Sequence, residues 1–247
     1  MATYHDLFKV GKEYLNKVRE SQQESIQEAA KLMGDCMLDN GLVQLFGVGH
    51  NHAFTMELFY RAGGLMPYHG FNLRDLVLRG KVSKEEADDP NFTNRSDIID
   101  IMWDMYNVLP NDIFIIASDL GNEGCVIDMA LKVKRAGHPL IVVTSLTEAK
   151  KVPAKHPSGK KLYELADLVI DSCVLNPDVV IELANKAKIN QMATLTGNTI
   201  AQMLTAETYK YLVEAGQDAP VLLSANVSGA DVHNREISDK YLGRWNA

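Results

Sequence analysis

From Tyr4 to about Leu38, apolar side chains return at helical spacing (Leu7, Tyr14, Val18, Ile26, Ala29, Ala30, Met33) with no proline among them. The spacing predicts one long amphipathic helix or two in tandem. "LVQLFGVG" (Leu42 to Gly49) is then a short apolar run ending in glycines, followed by the helical pattern "HAFTMELFYRAGG". The unit returns as "DIFIIASDLGNEG" before "CVIDMALKVKRAG", and as "PLIVVTS" before a polar loop, "GKKLYELAD" and the strand "LVID". Nearly continuous Ile, Val and Leu strands alternating with helices predict a parallel sheet covered on both faces, an α/β doubly wound fold.

Between Phe71 and Arg95 the chain turns polar and reads as a long surface loop of the kind that forms lids. "SDIIDIMWDMYNVL" reads as a helix with Ser96 as N-cap, its Met102, Trp103, Met105 and Tyr106 serving packing. After Pro177 a second helical region is expected, "ELANKAKINQMATLTGNTIAQMLTAETYKYLVEAG", then a polar tail with a last short helix. One domain over 1–247 is expected: an N-terminal helical segment (1–40), a sheet core (41–175) and C-terminal helices (176–247).

Composition narrows the function classes. A formal net charge of −7 over 247 residues argues against a nucleic-acid or anionic-membrane surface. No apolar run approaches the roughly 20 residues of a membrane span, and the charged N-terminus does not read as a signal peptide. Three scattered cysteines, Cys36, Cys125 and Cys173, form no disulfide framework, so a cytoplasmic setting is expected. Cys125 reads as a buried structural thiol.

Candidate chemistry sits where strands end, because ligands of open α/β sheets bind outside the carboxyl ends of the strands. Gly47 to His52, Ser118 to Glu123 and Thr144 onward should converge there. In "IIASDLGNEG" the strand breaks at Ser118, and Asn122 to Gly124 open a helix whose first N–H groups suit an anion. The other reading is that Ser118, Asp119 and Asn122 simply cap the helix. Gly121 lets the backbone approach closely.

Four blocks, "FGVGHNHAFTMELFYRAGGL", "DIFIIASDLGNEGCVIDMALKVKRAGHPLIVVTS", "HPSGKKLYELADLVID" and "VLLSANVSGADVHN", resemble the sugar isomerase (SIS) domain family, in its branch related to phosphoheptose isomerases. The resemblance runs from about Gly41 to His233. It implies a flavodoxin-like five-stranded parallel sheet, a homodimer or homotetramer, and a phosphorylated sugar or related anionic sugar bound at the strand ends. The family's Ser-x-Ser-Gly-x-Thr/Asn loop falls on Ser118, Asp119, Leu120, Gly121 and Asn122. Ser118 and Gly121 fit, whereas Leu120 stands where a second hydroxyl belongs. Asp119 and Glu123 bring negative charge toward a phosphate. Either they point away, or they pair with Arg61, Lys155 or Lys160, or the ligand is not phosphorylated.

The remaining candidates follow. Asn51 takes the serine-like place in the first loop, and His50 and His52 are candidate acid–base or hydroxyl-binding groups. A His-x-His pair supplies only two zinc ligands and no Cys or His cluster completes it, so no metal is expected. Glu57 and Arg61, four apart, read either as a surface ion pair or as the base and an anion contact. Thr144, Ser145 and His156 are candidate substrate contacts. The resemblance implies a C-terminal histidine acting with a glutamate, which assigns proton transfer to His233 and Glu57, with no cofactor. Three functions stay open: aldose–ketose isomerisation, phosphosugar sensing without catalysis, and an isomerase or lyase acting on a sugar with another anion such as a sulfonate.

Overall fold

Every second side chain of the central strands enters one of two apolar layers, so each strand is buried on both faces. In this computed structural model, which describes residues 3–175 and 178–244, α1 (Tyr4–Ser21) and α2 (Gln23–Leu38) precede β1 (Val43–Gly47) and α3 (His52–Leu58). β2 (Tyr68–Phe71), α4 (Leu73–Leu78), α5 (Lys84–Ala87) and α6 (Ile98–Trp103) lead to β3 (Ile113–Ala117). α7 (Gly124–Arg135), β4 (Leu140–Thr144), α8 (Leu146–Lys151) and β5 (Leu168–Asp171) complete the core. β6 (Val179–Glu182), β7 (Lys188–Gln191), α9 (Met192–Glu214) and α10 (Ala230–Ser238) follow.

The main sheet has the order β2-β1-β3-β4-β5, and all its pairings are parallel. This is the flavodoxin-like arrangement that the resemblance implies. Val43, Leu45, Ile113, Ile115, Ile141 and Val143 pack with α2, α3 and α9 on one face. Phe46, Phe114, Ile116, Leu140 and Val142 pack with α6 and α7 on the other. The order reverses between β1 and β3, which opens a crevice above their carboxyl ends.

Several expectations change. The N-terminal pattern is two helices, broken at Gln22 (φ −111°, ψ 11°), whose side-chain oxygen accepts a hydrogen bond from Asp171 N at 2.8 Å. The polar stretch after Phe71 is not an open loop. Asn72 and Ser83 cap α4 and α5, and buried Val82 and Phe92 pin the segment to the core. Asp97, not Ser96, precedes α6, with its carboxylate held by Arg95 at 2.7 Å.

The expected helical stretch after Pro177, a residue outside those described, begins instead as the antiparallel hairpin of β6 and β7. The β-branched run Val179, Val180, Ile181 favours a strand. Asn185 turns its side chain onto Ala187 N at 3.1 Å, and Lys186 takes φ +65°, so the chain reverses. Helix resumes only at Met192. Among the described residues no helix is long and apolar enough to cross a membrane. Cys36 and Cys125 are buried free thiols, Cys173 a half-buried one. Burial pushes both buried thiols up to about 12, which leaves them inert as nucleophiles.

Candidate functional site at the strand ends

Gly47 ends β1 because a side chain there would meet the Asn51 carbonyl oxygen at 2.8 Å. The chain therefore turns sharply and delivers His50 and Asn51 over the sheet. After β3, Gly121 takes φ +56°, a conformation glycine adopts without steric cost. Its N–H donates to Ser118 Oγ at 3.0 Å. Thr144 Oγ1 and Ser145 N, both from the end of β4, donate to the Asp119 carbonyl, each at 3.0 Å.

These loops enclose a cleft of about 190 Å³ bordered by His50, Asn51, Asp119, Leu120, Glu123 and Ser145, with Glu148, Val174, Leu175 and Asp178 opposite. The three predicted loops do converge. Asp119 and Glu123 both face the cleft rather than away from it. Their partners are His50 and Ser118: His50 Nε2 donates to Asp119 Oδ2 at 2.6 Å, and Ser118 Oγ donates to Glu123 Oε2 at 2.6 Å. Among the described residues neither carboxylate pairs with Arg61, Lys155 or Lys160. The hydrogen bond from His50 to Asp119 raises the imidazole pKa, against the opposing effect of partial burial.

The electrostatics are thus the reverse of an anion cradle. Four carboxylates border the cleft, and of these Glu148 is paired outward with Lys151 at 2.8 Å. Ser118, the hydroxyl expected to hold a phosphate, already donates to a carboxylate of its own chain.

The other hydroxyls and histidines are also committed. Ser145 Oγ donates to the Val174 carbonyl; with Thr144 it fixes loop geometry. His52 sits to one side, its Nδ1 bonded to Thr55 Oγ1 at 2.9 Å. Asn72 Nδ2 lies 3.3 Å from its Nε2, and burial lowers its pKa. His156 Nε2 donates to Asp128 at 3.0 Å. It borders a second cleft of about 470 Å³ on the far side of Glu123, shared with Asn94, Ser96, Asn122, Gly124 and Lys155. Asn122 therefore faces that second cleft, next to the start of α7.

Glu57 and Arg61 pair at 3.1 Å, although Arg61 lies beyond the end of α3. Glu57 also accepts from Gln202 on α9. It borders a separate apolar groove of about 1110 Å³ between α1 and α9. His233 donates from Nε2 to the Val221 carbonyl at 2.9 Å. That segment bridges Leu65, ahead of β2 and so at the opposite end of the sheet. Within one chain, then, Glu57 and His233 are brought neither together nor to the cleft. The sequence reading missed Asp178, Glu148 and Asn198, which the fold adds from the hairpin approach, α8 and α9.

Metal-ligand spacing along the chain is absent, but the fold brings His50, Asp119 and Asp178 together, with one potential ligand atom of each within 4.8 Å of the others. His52 takes no part. The second and third ligands come from carboxylates remote in sequence, which spacing could not reveal.

A model of the family described as SIS domain matches residues 6–145. The UPF0309 protein of Geobacillus kaustophilus is 36% identical over 239 residues, covering 94% of this chain and 91% of that protein. A UPF0309 protein of Halalkalibacterium halodurans is 31% identical over 247 residues, covering 99% of each. Among solved structures, a phosphoheptose isomerase from Francisella tularensis superposes with a TM-score of 0.54 at 15% identity, over 84% of this chain and 96% of that one. The Vibrio vulnificus NanR protein complexed with ManNAc-6P gives 0.52 at 11% identity, over 97% of this chain and 69% of that one. At such identities the structural matches speak for the fold alone.

Proposed function

The chain belongs to the SIS domain family, and from that premise we propose that it binds a sugar derivative at the strand ends and interconverts its aldose and ketose forms. The observation that carries the reading is the convergence of His50, Asn51, Asp119 and Glu123 on one cleft at the point where the strand order reverses. Carboxylates are good acceptors for sugar hydroxyls, so the polyol end belongs in this acidic cleft. A phosphate is repelled there and belongs across Glu123 in the second cleft, where Lys155, Asn122 and the start of α7 offset Glu123 and an Asp128 already paired with His156.

Isomerisation needs a base for the proton beside the carbonyl and a donor for the carbonyl oxygen. Asp119 or Glu123 supplies the base, in place of Glu57, and Asn51 supplies a donor. The competing reading is a sugar-sensing module without turnover, favoured by the engagement of Glu57 and His233 elsewhere. A cytoplasmic homo-oligomer is part of the proposal: Phe8, 72% exposed, and Leu195 border the apolar α1–α9 groove that a second copy would cover.

A thermal-shift panel of aldose and ketose phosphates, their unphosphorylated sugars and sulfonated analogues tests the reading, since ligands selective for the folded state raise its stability. A phosphosugar shift that Lys155→Ala diminishes, with turnover that Glu123→Gln or Asp119→Asn cuts by about 100-fold or more, is expected. Binding without turnover would favour the sensor. No shift with any sugar would overturn both.

A further inference from the structure

We propose that His50 Nε2, Asp119 and Asp178 bind one divalent transition-metal ion in the strand-end cleft. The three side chains come from the loops after β1, β3 and β5, and their ligand atoms lie within 4.8 Å of one another. An ion with bonds of roughly 2.0–2.2 Å to nitrogen and oxygen holds tetrahedral ligands about 3.4 Å apart, so Asp178 must draw in while His50 and Asp119 part. Modest side-chain rotations therefore close the site, and the 2.6 Å contact between His50 and Asp119 opens as a metal replaces the shared proton.

Two further observations point to a ligand. Asp178 Oδ2 is buried with no hydrogen-bond partner among the described residues. Behind His50 and Asp119 lies a small pocket bordered by Ser172, only 3% exposed, whose hydroxyl also lacks a partner among the described residues. Native proteins leave few buried polar atoms unsatisfied. Nor does any lysine or arginine pair with Asp119 or Asp178 among the described residues, so the proton on His50 is the positive charge a metal ion would replace.

One imidazole and two carboxylates suit Mn²⁺, Co²⁺ or Zn²⁺ better than Ca²⁺, which prefers six to eight oxygens. The open side of the site faces the cleft, where an ion would offset the negative border and bind sugar oxygens. The inference goes beyond sugar binding and does not depend on it, because the ion is measured without sugar.

Tag-free full-length protein, stripped with EDTA and dialysed, is titrated with MnCl₂ by electron paramagnetic resonance and with ZnCl₂ by calorimetry, with CaCl₂ as the hard-ion control. Expected is one Mn²⁺ or Zn²⁺ per chain, with Ca²⁺ at least tenfold weaker. Asp178→Asn and Asp119→Asn should each weaken binding at least tenfold with the circular dichroism spectrum unchanged. Should Asp119→Asn fail to fold, Asp178→Asn decides, because the backbone bond of Asp178 to Met192 N survives that substitution. Absence of saturable binding, equal affinity for Ca²⁺, or binding that Asp178→Asn retains would overturn the site. A chain that binds the ion but no sugar would leave this site standing and overturn the proposed function.

Discussion

Replacing Gly121 by alanine attacks the loop after β3 at its tightest point. The residue holds φ +56°, and an added Cβ would come within 2.7 Å of Leu162 Cβ, an atom too close to the backbone to swing aside. The left-handed conformation costs an L-residue about 1–2 kcal/mol, and forcing an extra carbon into a packed contact costs about 1–3 kcal/mol. The sum, about 3 kcal/mol, is a large share of the roughly 5–15 kcal/mol that holds a domain folded. Relief of the overlap would push Leu162 away and stretch its N–H bond to the Gly121 carbonyl, now 3.1 Å. It would also shift Ser118 and Glu123, so ligand binding should fall with stability. Urea unfolding followed by circular dichroism reads the first effect as a lower midpoint with unchanged slope. Gly121→Asn, which tolerates the left-handed region better but keeps the overlap, should lose somewhat less. A loss under about 1 kcal/mol for alanine would refute the claim that both the dihedral and the contact constrain this loop.

Arg244→Ala removes the guanidinium 2.6 Å from the fully buried Asp112 carboxylate. Asp112 keeps bonds from Leu42 N, Gln44 Nε2 and Leu109 N, so a loss of about 3 kcal/mol in urea unfolding is expected, partly recovered in the double variant with Asp112→Asn. His69, 1% exposed and bonded to Gln44, is pushed by burial down to about 4 from 6.5. Its folded pKa lies below the unfolded one, so its contribution is whole above pH 6.5 and is lost as pH falls toward 4, by about 3 kcal/mol in all. Urea midpoints from pH 7 to 4.5 should fall less steeply in His69→Gln. Glu57→Gln, which breaks a partly exposed pair, should cost under about 1 kcal/mol and leave turnover near that of the parent protein in an isomerase assay; loss of turnover would return the base to Glu57.

The parallel sheet was legible because "LVQLF", "IFIIA" and "LIVVT" are short, nearly continuous apolar runs followed by polar or glycine loops, as strands buried on both faces are. The β6–β7 hairpin was not, since Leu183, Ala184 and Ala187 extend a helical composition through a turn that Asn185 and Lys186 decide locally. Convergence of the His50, Ser118 and Ser145 loops followed from strand ends alone. Which way Asp119 and Glu123 point did not: the orientation depends on Ser118 giving its hydrogen to Glu123 and on His50 reaching across from another loop. The pairing of Glu57 with Arg61 was one of the two readings their four-residue spacing left open, whereas Gln202, which holds Glu57 against the α1–α9 groove, is set by tertiary packing. Asp178 joins the cleft from a segment with no motif of its own.

The most direct test of the strand-end cleft as the ligand site is hydrogen–deuterium exchange, with and without the sugar phosphate that gives the largest thermal shift. The account predicts slower exchange at residues 93–96 and 155–157, which border the phosphate, and in the three segments of the sugar cleft, 48–52, 118–124 and 145–149. Protection confined to the groove between α1 and α9, with those three segments unchanged, would contradict it.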